Sequence, residues 1–231
     1  MAAHKDQLEE DELDKITVSG FRWAPPFAQG LIRDLRVRWA LEEAGLPYEV
    51  RLIDIADRNS DSYRQQQPFG MVPAFEADGM GLFESGAILH HIAVDSEALM
   101  PADRRDRAST VTWMFAALNT VEPPVQNLSV MDLQQSEEQW AKLRRPGAVD
   151  AVKVRLGALS AWLDGRDYLV DRFTAADILM TTVLRLIRHT DLVAEFPVLD
   201  AYVKRCEARP AFQKALRDQM AEYARNTPAA A

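Results

Sequence analysis

Two short segments in the first third of the chain carry residues whose types and spacing suit ligand recognition. One is Gln67-Pro68-Phe69-Gly70-Met71-Val72-Pro73-Ala74-Phe75. The other, a few residues later, is Leu82-Phe83-Glu84-Ser85-Gly86-Ala87-Ile88. Proline cannot donate to a sheet ladder, so Pro73 at the start of an apolar strand marks an edge, a bulge or a cis bond. A cis Val72-Pro73 bond is expected here, which turns the Val72 N–H and C=O out of the ladder toward anything lying alongside. Glu84-Ser85 opens an amphipathic pattern, and the start of a helix presents unpaired N–H groups and the positive end of its dipole. The ligand this suits is a peptide-like anion, paired by backbone at one end and seated on a helix N-terminus at the other.

These segments, with Arg36-Val37-Arg38-Trp39-Ala40-Leu41-Glu42-Glu43-Ala44-Gly45-Leu46-Pro47-Tyr48 upstream, resemble the glutathione-binding half of the glutathione S-transferase family. The resemblance covers nearly the whole chain. It implies that Val72, next to Pro73, pairs its backbone with the cysteinyl part of glutathione, and that Glu84 and Ser85 hold the γ-glutamyl end. It implies a thioredoxin-like α/β N-terminal domain plus an all-α helical C-terminal domain. It also implies glutathione as a substrate, no metal, and a homodimer.

One expected group is missing. In the family a Tyr, Ser or Cys near the end of the first strand supplies or stabilises the thiolate, yet residues 20–47 contain no Ser, Thr, Cys or Tyr. The loop Trp23-Ala24-Pro25-Pro26-Phe27-Ala28-Gln29-Gly30 is also longer than the family's. The candidate catalytic groups are then Gln29 and Arg33, aided by the dipole of a helix starting near Gly30. Trp113, Met114 and Asn119, on the first helix of the second half, are the candidates for an electrophile pocket in the interdomain cleft, and Tyr223 is a candidate to close it. The resulting expectation is an enzyme that binds glutathione as thiolate and transfers it to an apolar electrophile. A non-catalytic glutathione carrier or scaffold, and a glutathione-dependent isomerase, share the same site.

Composition narrows the partners. The chain has 231 residues, enough for a sizeable core, and its net charge of -8 argues against nonspecific binding to nucleic acid or an anionic membrane. Small molecules are the expected partners. Cys206 is the single cysteine, which excludes an intramolecular disulfide and a Cys-x-x-Cys pair. Its expected role is packing. The adjacent His90 and His91 point about 100° apart on a helix and do not chelate one metal. No apolar run approaches the roughly 20 residues of a membrane helix. Residues 1–14 are acidic, unlike a secretory or transit leader, and read as a mobile tail. A soluble, cytoplasmic protein is expected.

The elements that must position these residues follow from periodicity. Ile16-Thr17-Val18-Ser19-Gly20-Phe21 alternates as a strand, and Pro25-Pro26 stops it. A helix is expected over about 31–44, with Asp34 and Arg38 paired on its outer face and Gly45 closing it. Residues 48–53 form a second strand. Asp78-Gly79 between two short apolar runs signals a hairpin, and a helix follows from Ser85 to Val94. A parallel pair with a crossover and an antiparallel edge are expected. These elements make a domain over 15–95. After a linker at 96–101, residues 102–231 read as all-helical. Pro123-Pro124 is expected to interrupt the first long helix, and separate helical patterns cover 136–143 and 148–163, with Trp140, Leu156, Leu159 and Leu163 inward. Phe173-Thr174-Ala175-Ala176-Asp177-Ile178 reads as a capping box with a staple, opening a helix buried in the bundle.

Overall fold

The computed structural model describes residues 15–228, so the acidic stretch 1–14 lies outside the described residues. These residues form two compact units, 15–92 together with 214–228, and 93–213.

The first unit is built on a four-stranded mixed sheet in the order β2-β1-β3-β4. β1 (Thr17–Phe21) pairs parallel with β2 (Glu49–Ile53), joined by α1 (Asp34–Ala44). Gly45 closes α1 at φ 69°, its N–H on the Glu42 carbonyl, while the Leu46 N–H reaches the Leu41 carbonyl. A Cβ is disfavoured in this left-handed conformation, so glycine fits it. α2 (Asp61–Gln66) precedes β3 (Ala74–Ala77) and β4 (Met80–Phe83), an antiparallel hairpin. Its two-residue turn holds Asp78 at φ 51° and Gly79 at φ 70°, the positive pair a tight hairpin requires. α3 (Ser85–Val94) closes the motif. This is the thioredoxin-like arrangement of the expected fold class.

Two expectations about α1 are corrected. Residues 25–33 are a series of turns and the helix begins at Asp34, because Pro25 and the left-handed Gly30 hold the segment in turns. Asp34 and Arg38 do pair at helical spacing, Arg38 Nε donating to Asp34 Oδ2 at 2.7 Å, but they are buried, 0% and 1% exposed. Their remaining partners come from the far end of the chain. In α9 (Pro210–Arg225), Gln219 Nε2 donates to Asp34 Oδ1 at 2.9 Å and Glu222 Oε2 accepts from Arg38 Nη2 at 2.7 Å. The space comes from β1: a Cβ on Gly20 would lie 2.8 Å from Asp34 Oδ2. Burial holds the Asp34 carboxyl above the usual range despite Arg38 and Gln219.

The second unit is helical, comprising α4 (Arg104–Ala116), α5 (Glu122–Gln134), α6 (Gln139–Leu163), α7 (Ala175–Leu184) and α8 (Pro197–Glu207). Pro123-Pro124 does not break the chain's helical path. A π turn over Ala117–Val121 joins α4 to α5 and leaves the prolines in the first turn of α5, where a missing N–H costs nothing. α6 likewise runs through Pro146 as one helix, since the stretch 142–147 is exposed and the unbonded carbonyl faces solvent. Leu156, Leu159 and Leu163 are buried as expected, but Trp140 is 42% exposed near the start of the helix. α7 is buried along its whole length, and Thr174 and Asp177 form the expected capping box. Asp177 also accepts from the Leu169 N–H and the Tyr202 hydroxyl, tying the preceding loop and α8 to the helix start.

Candidate functional site

The sheet register gathers the sequence-predicted glutathione-binding residues. Ala74 lies opposite Phe83 in the β3–β4 hairpin, so Val72-Pro73 and Glu84-Ser85 flank its open end. Val18 pairs with Phe75 in the antiparallel β1–β3 ladder, so β1 delivers the loop beginning at Arg22 to the same end of the sheet.

The Val72–Pro73 bond is cis, as expected. Among the described residues the Val72 N–H and C=O have no hydrogen-bond partner. Their neighbours, in contrast, are held firmly. The Ala74 N–H donates to Ser19 Oγ at 2.7 Å, and the Tyr63 hydroxyl donates to the Met71 carbonyl at 2.7 Å. The Ser19 and Tyr63 hydroxyls lie 2.8 Å apart. With Tyr63's hydrogen committed to Met71, Ser19 donates to Tyr63 and accepts from Ala74, and every group is used once. Burial raises the Tyr63 hydroxyl above its ordinary range against the Ser19 bond, so it remains a donor.

At the second segment Glu84 is exposed and holds φ 71°, a left-handed conformation uncommon outside glycine. Its carbonyl accepts the Ile88 N–H at 3.0 Å, which makes Glu84 the residue that caps α3 and Ser85 the first residue inside it. Ser85 is 4% exposed, and its Oγ accepts from Arg36 Nη1 at 3.1 Å. Arg36, on α1, is itself buried.

The loop supplies the other candidates. Gln29 is half-buried and its Nε2 donates to the Ala24 carbonyl at 2.9 Å. Arg33 is half-buried in the turn just before α1. In the second unit Trp113 packs against Trp162 with ring centroids 5.1 Å apart, and the Arg166 guanidinium sits 4.5 Å over Trp162. Met114 is buried beside it in sequence, and Asn119 is exposed in the π turn. Tyr223 is buried within the first unit. His91 packs edge-on against Phe75, with centroids 5.9 Å apart. Among the described residues no three His, Cys, Asp or Glu side chains gather as a metal would require.

Two groups around this site, Ser19 and Tyr63, escaped sequence reasoning; Arg36 is legible as a basic group suited to an anionic ligand, but its contact with Ser85 is not. The signal at Ser19 was weak, a polar residue in a strand that proves central.

Residues 28–94 match the glutathione S-transferase N-terminal domain and residues 134–210 the glutathione S-transferase C-terminal domain. The chain is 32% identical over 191 residues to glutathione S-transferase alpha-2 of Rattus norvegicus, covering 78% of this chain and 82% of the relative. It belongs to the glutathione S-transferase family. It is also 27% identical over 190 residues to a probable maleylacetoacetate isomerase 2 of Drosophila melanogaster, covering 78% of this chain and 81% of that protein. Among solved structures, a glutathione transferase from Burkholderia graminis superposes with a TM-score of 0.77 at 28% identity, covering 88% of each chain. That family member was crystallised with two glutathione molecules bound per subunit.

Proposed function

We propose that this protein is a glutathione transferase that binds glutathione at the open end of the β3–β4 hairpin. The observation that carries the reading is the unpaired N–H and C=O of Val72, at the sheet end where Ser85 opens α3. The Val72 backbone pairs with the cysteinyl residue, as a neighbouring strand would. Glu84 takes the γ-glutamyl amine, and Ser85 with the helix N-terminus takes its carboxylate.

Thiol activation falls to groups in the loop. Without a hydroxyl or thiol in residues 20–47, the Arg33 charge and the Gln29 amide stabilise the thiolate electrostatically. A thiol of reference pKa about 8.5 becomes mostly thiolate at neutral pH if lowered by about two units. The second substrate is an apolar electrophile.

A homodimer accords with exposed apolar side chains on the first unit. Phe69 is 65% exposed and meets Phe83 edge-on, with Met71 and Met80 also exposed. No described helix is long and apolar enough to cross a membrane.

Calorimetric titration with glutathione, followed by ultraviolet titration of the bound thiol, tests the proposal. Micromolar to millimolar binding with a thiol ionising well below its free value supports a transferase. Binding with an unshifted thiol makes the protein a carrier, and no binding overturns the site. The likeness to an isomerase keeps glutathione-dependent isomerisation as a second reading, separated by whether a maleyl (cis-butenedioyl) substrate is isomerised without net consumption of glutathione.

A further inference from the structure

Ser85 is nearly buried, yet only one side of its hydroxyl is used. Its oxygen accepts from Arg36 Nη1 at 3.1 Å, and among the described residues no acceptor takes its hydrogen. A serine hydroxyl carries one donor and two acceptor sites. A guanidinium has only donors and stays charged, so it can approach Ser85 solely from the oxygen side. The contact occupies the oxygen and leaves the hydrogen free, the only donor the Ser85 side chain can offer a carboxylate. Arg36 sits in the first turn of α1 and is 2% exposed, so its charge is screened little by solvent.

We propose that Arg36 is a positioning residue for the carboxylate seat. It holds the Ser85 oxygen so that the hydroxyl hydrogen points at the ligand's glutamyl carboxylate, and it backs that seat with a buried positive charge. Selectivity for a carboxylate over a neutral group at the γ-glutamyl end then comes from Arg36 through Ser85, not from the helix N-terminus alone. This rests on the glutathione reading above.

The test compares two ligands by calorimetry: glutathione, and γ-aminobutyryl-cysteinyl-glycine, which lacks only the glutamyl α-carboxylate. The unmodified protein, Arg36→Met, Arg36→Lys, Ser85→Ala and the Arg36→Lys/Ser85→Ala pair are titrated with each, and circular dichroism checks folding. Arg36→Met is expected to weaken glutathione binding tenfold or more while changing the decarboxylated ligand less than threefold. Arg36→Lys, which keeps the charge but not the fork geometry, should fall between. In the Ser85→Ala background, Arg36→Lys should add little, since the residue through which it acts is gone. If Arg36→Met fails to fold, the Arg36→Lys and Ser85→Ala variants and their pair carry the comparison. Equal weakening of both ligands, additive effects in the pair, or no effect would overturn the positioning role and leave the glutathione site standing. Failure of the unmodified protein to bind glutathione would overturn both.

Discussion

The hydroxyls of Ser19 and Tyr63 lie 2.8 Å apart beneath the Val72 segment, and each reaches one side of it. Ser19 receives the Ala74 N–H, and Tyr63 donates to the Met71 carbonyl. The segment with unpaired backbone groups is thus gripped on both flanks by side chains from β1 and α2.

Ser19→Ala should destabilise the protein by about 1–3 kcal/mol, because the buried Ala74 N–H loses its acceptor. Urea denaturation measures this. The thiol pKa of bound glutathione should not change, whereas Arg33→Ala or Gln29→Ala should raise it, which a pH–rate profile with a generic electrophile reports. Abolished turnover in Ser19→Ala, with the fold intact, would mean an ordinary serine mechanism.

Glu84→Gly and Glu84→Ala separate backbone from side chain. Both remove the carboxylate and should weaken glutathione binding by about 1.5–3 kcal/mol. Only glycine relieves φ 71°, so Glu84→Gly should be the more stable of the two by about 1 kcal/mol. Thermal melts and calorimetry on the same samples decide it, and equal stabilities would show that the left-handed backbone costs nothing.

Arg38→Met should cost about 3–5 kcal/mol, since it leaves Asp34 and Glu222 without their shared cation. Gly20→Ala should be destabilising by about 1–3 kcal/mol through its collision with Asp34. A chevron or equilibrium urea curve would contradict the buried network if either variant matched the parent.

Cys206 is fully buried, and burial pushes its thiol up to about 12. The folded form therefore keeps its proton above the ordinary value near 9. Its stabilising contribution is complete below pH 9 and is lost as pH rises toward 12, by up to ~4 kcal/mol. The stability of the parent relative to Cys206→Ala should thus fall between pH 9 and 11. A disulfide reagent should modify no thiol in the native protein at pH 8 and one per chain in denaturant. Rapid native labelling would refute the burial.

Thr174→Ala should cost about 1 kcal/mol, the usual loss for an N-cap hydroxyl, while Thr174→Ser should recover most of it. Denaturant midpoints of the two variants check this.

Local signals read well in the sequence. Asp78-Gly79, Gly45, Thr174–Asp177 and the Ser85 helix start act through neighbours a few residues away, and all four lie where expected. The cis Val72–Pro73 bond was legible for the same reason. What escaped depends on distant partners. The Asp34–Arg38 spacing is the same for an exposed pair and a buried one, and only Gln219 and Glu222, more than 180 residues on, distinguish them. Ser19, Tyr63 and Arg36 acquire their roles from residues 44 to 55 positions away or from a loop they support. The patterns at 136–143 and 148–163 belong to one helix because the exposed stretch around Pro146 tolerates a missing backbone hydrogen bond.

Synthesis runs from the N-terminus, and the first unit is finished by residues made more than 180 positions later. When Asp34 and Arg38 leave the ribosome, their partners on α9 do not yet exist. The sheet can assemble early, and Asp34 and Arg38 can pair with each other, but Arg38 lacks its second carboxylate and Asp34 its amide donor until Gln219 and Glu222 have been translated. A nascent chain stalled in the helical unit therefore carries an open, protease-sensitive first unit. Translation of α9 acts as the checkpoint for the unit that was begun first.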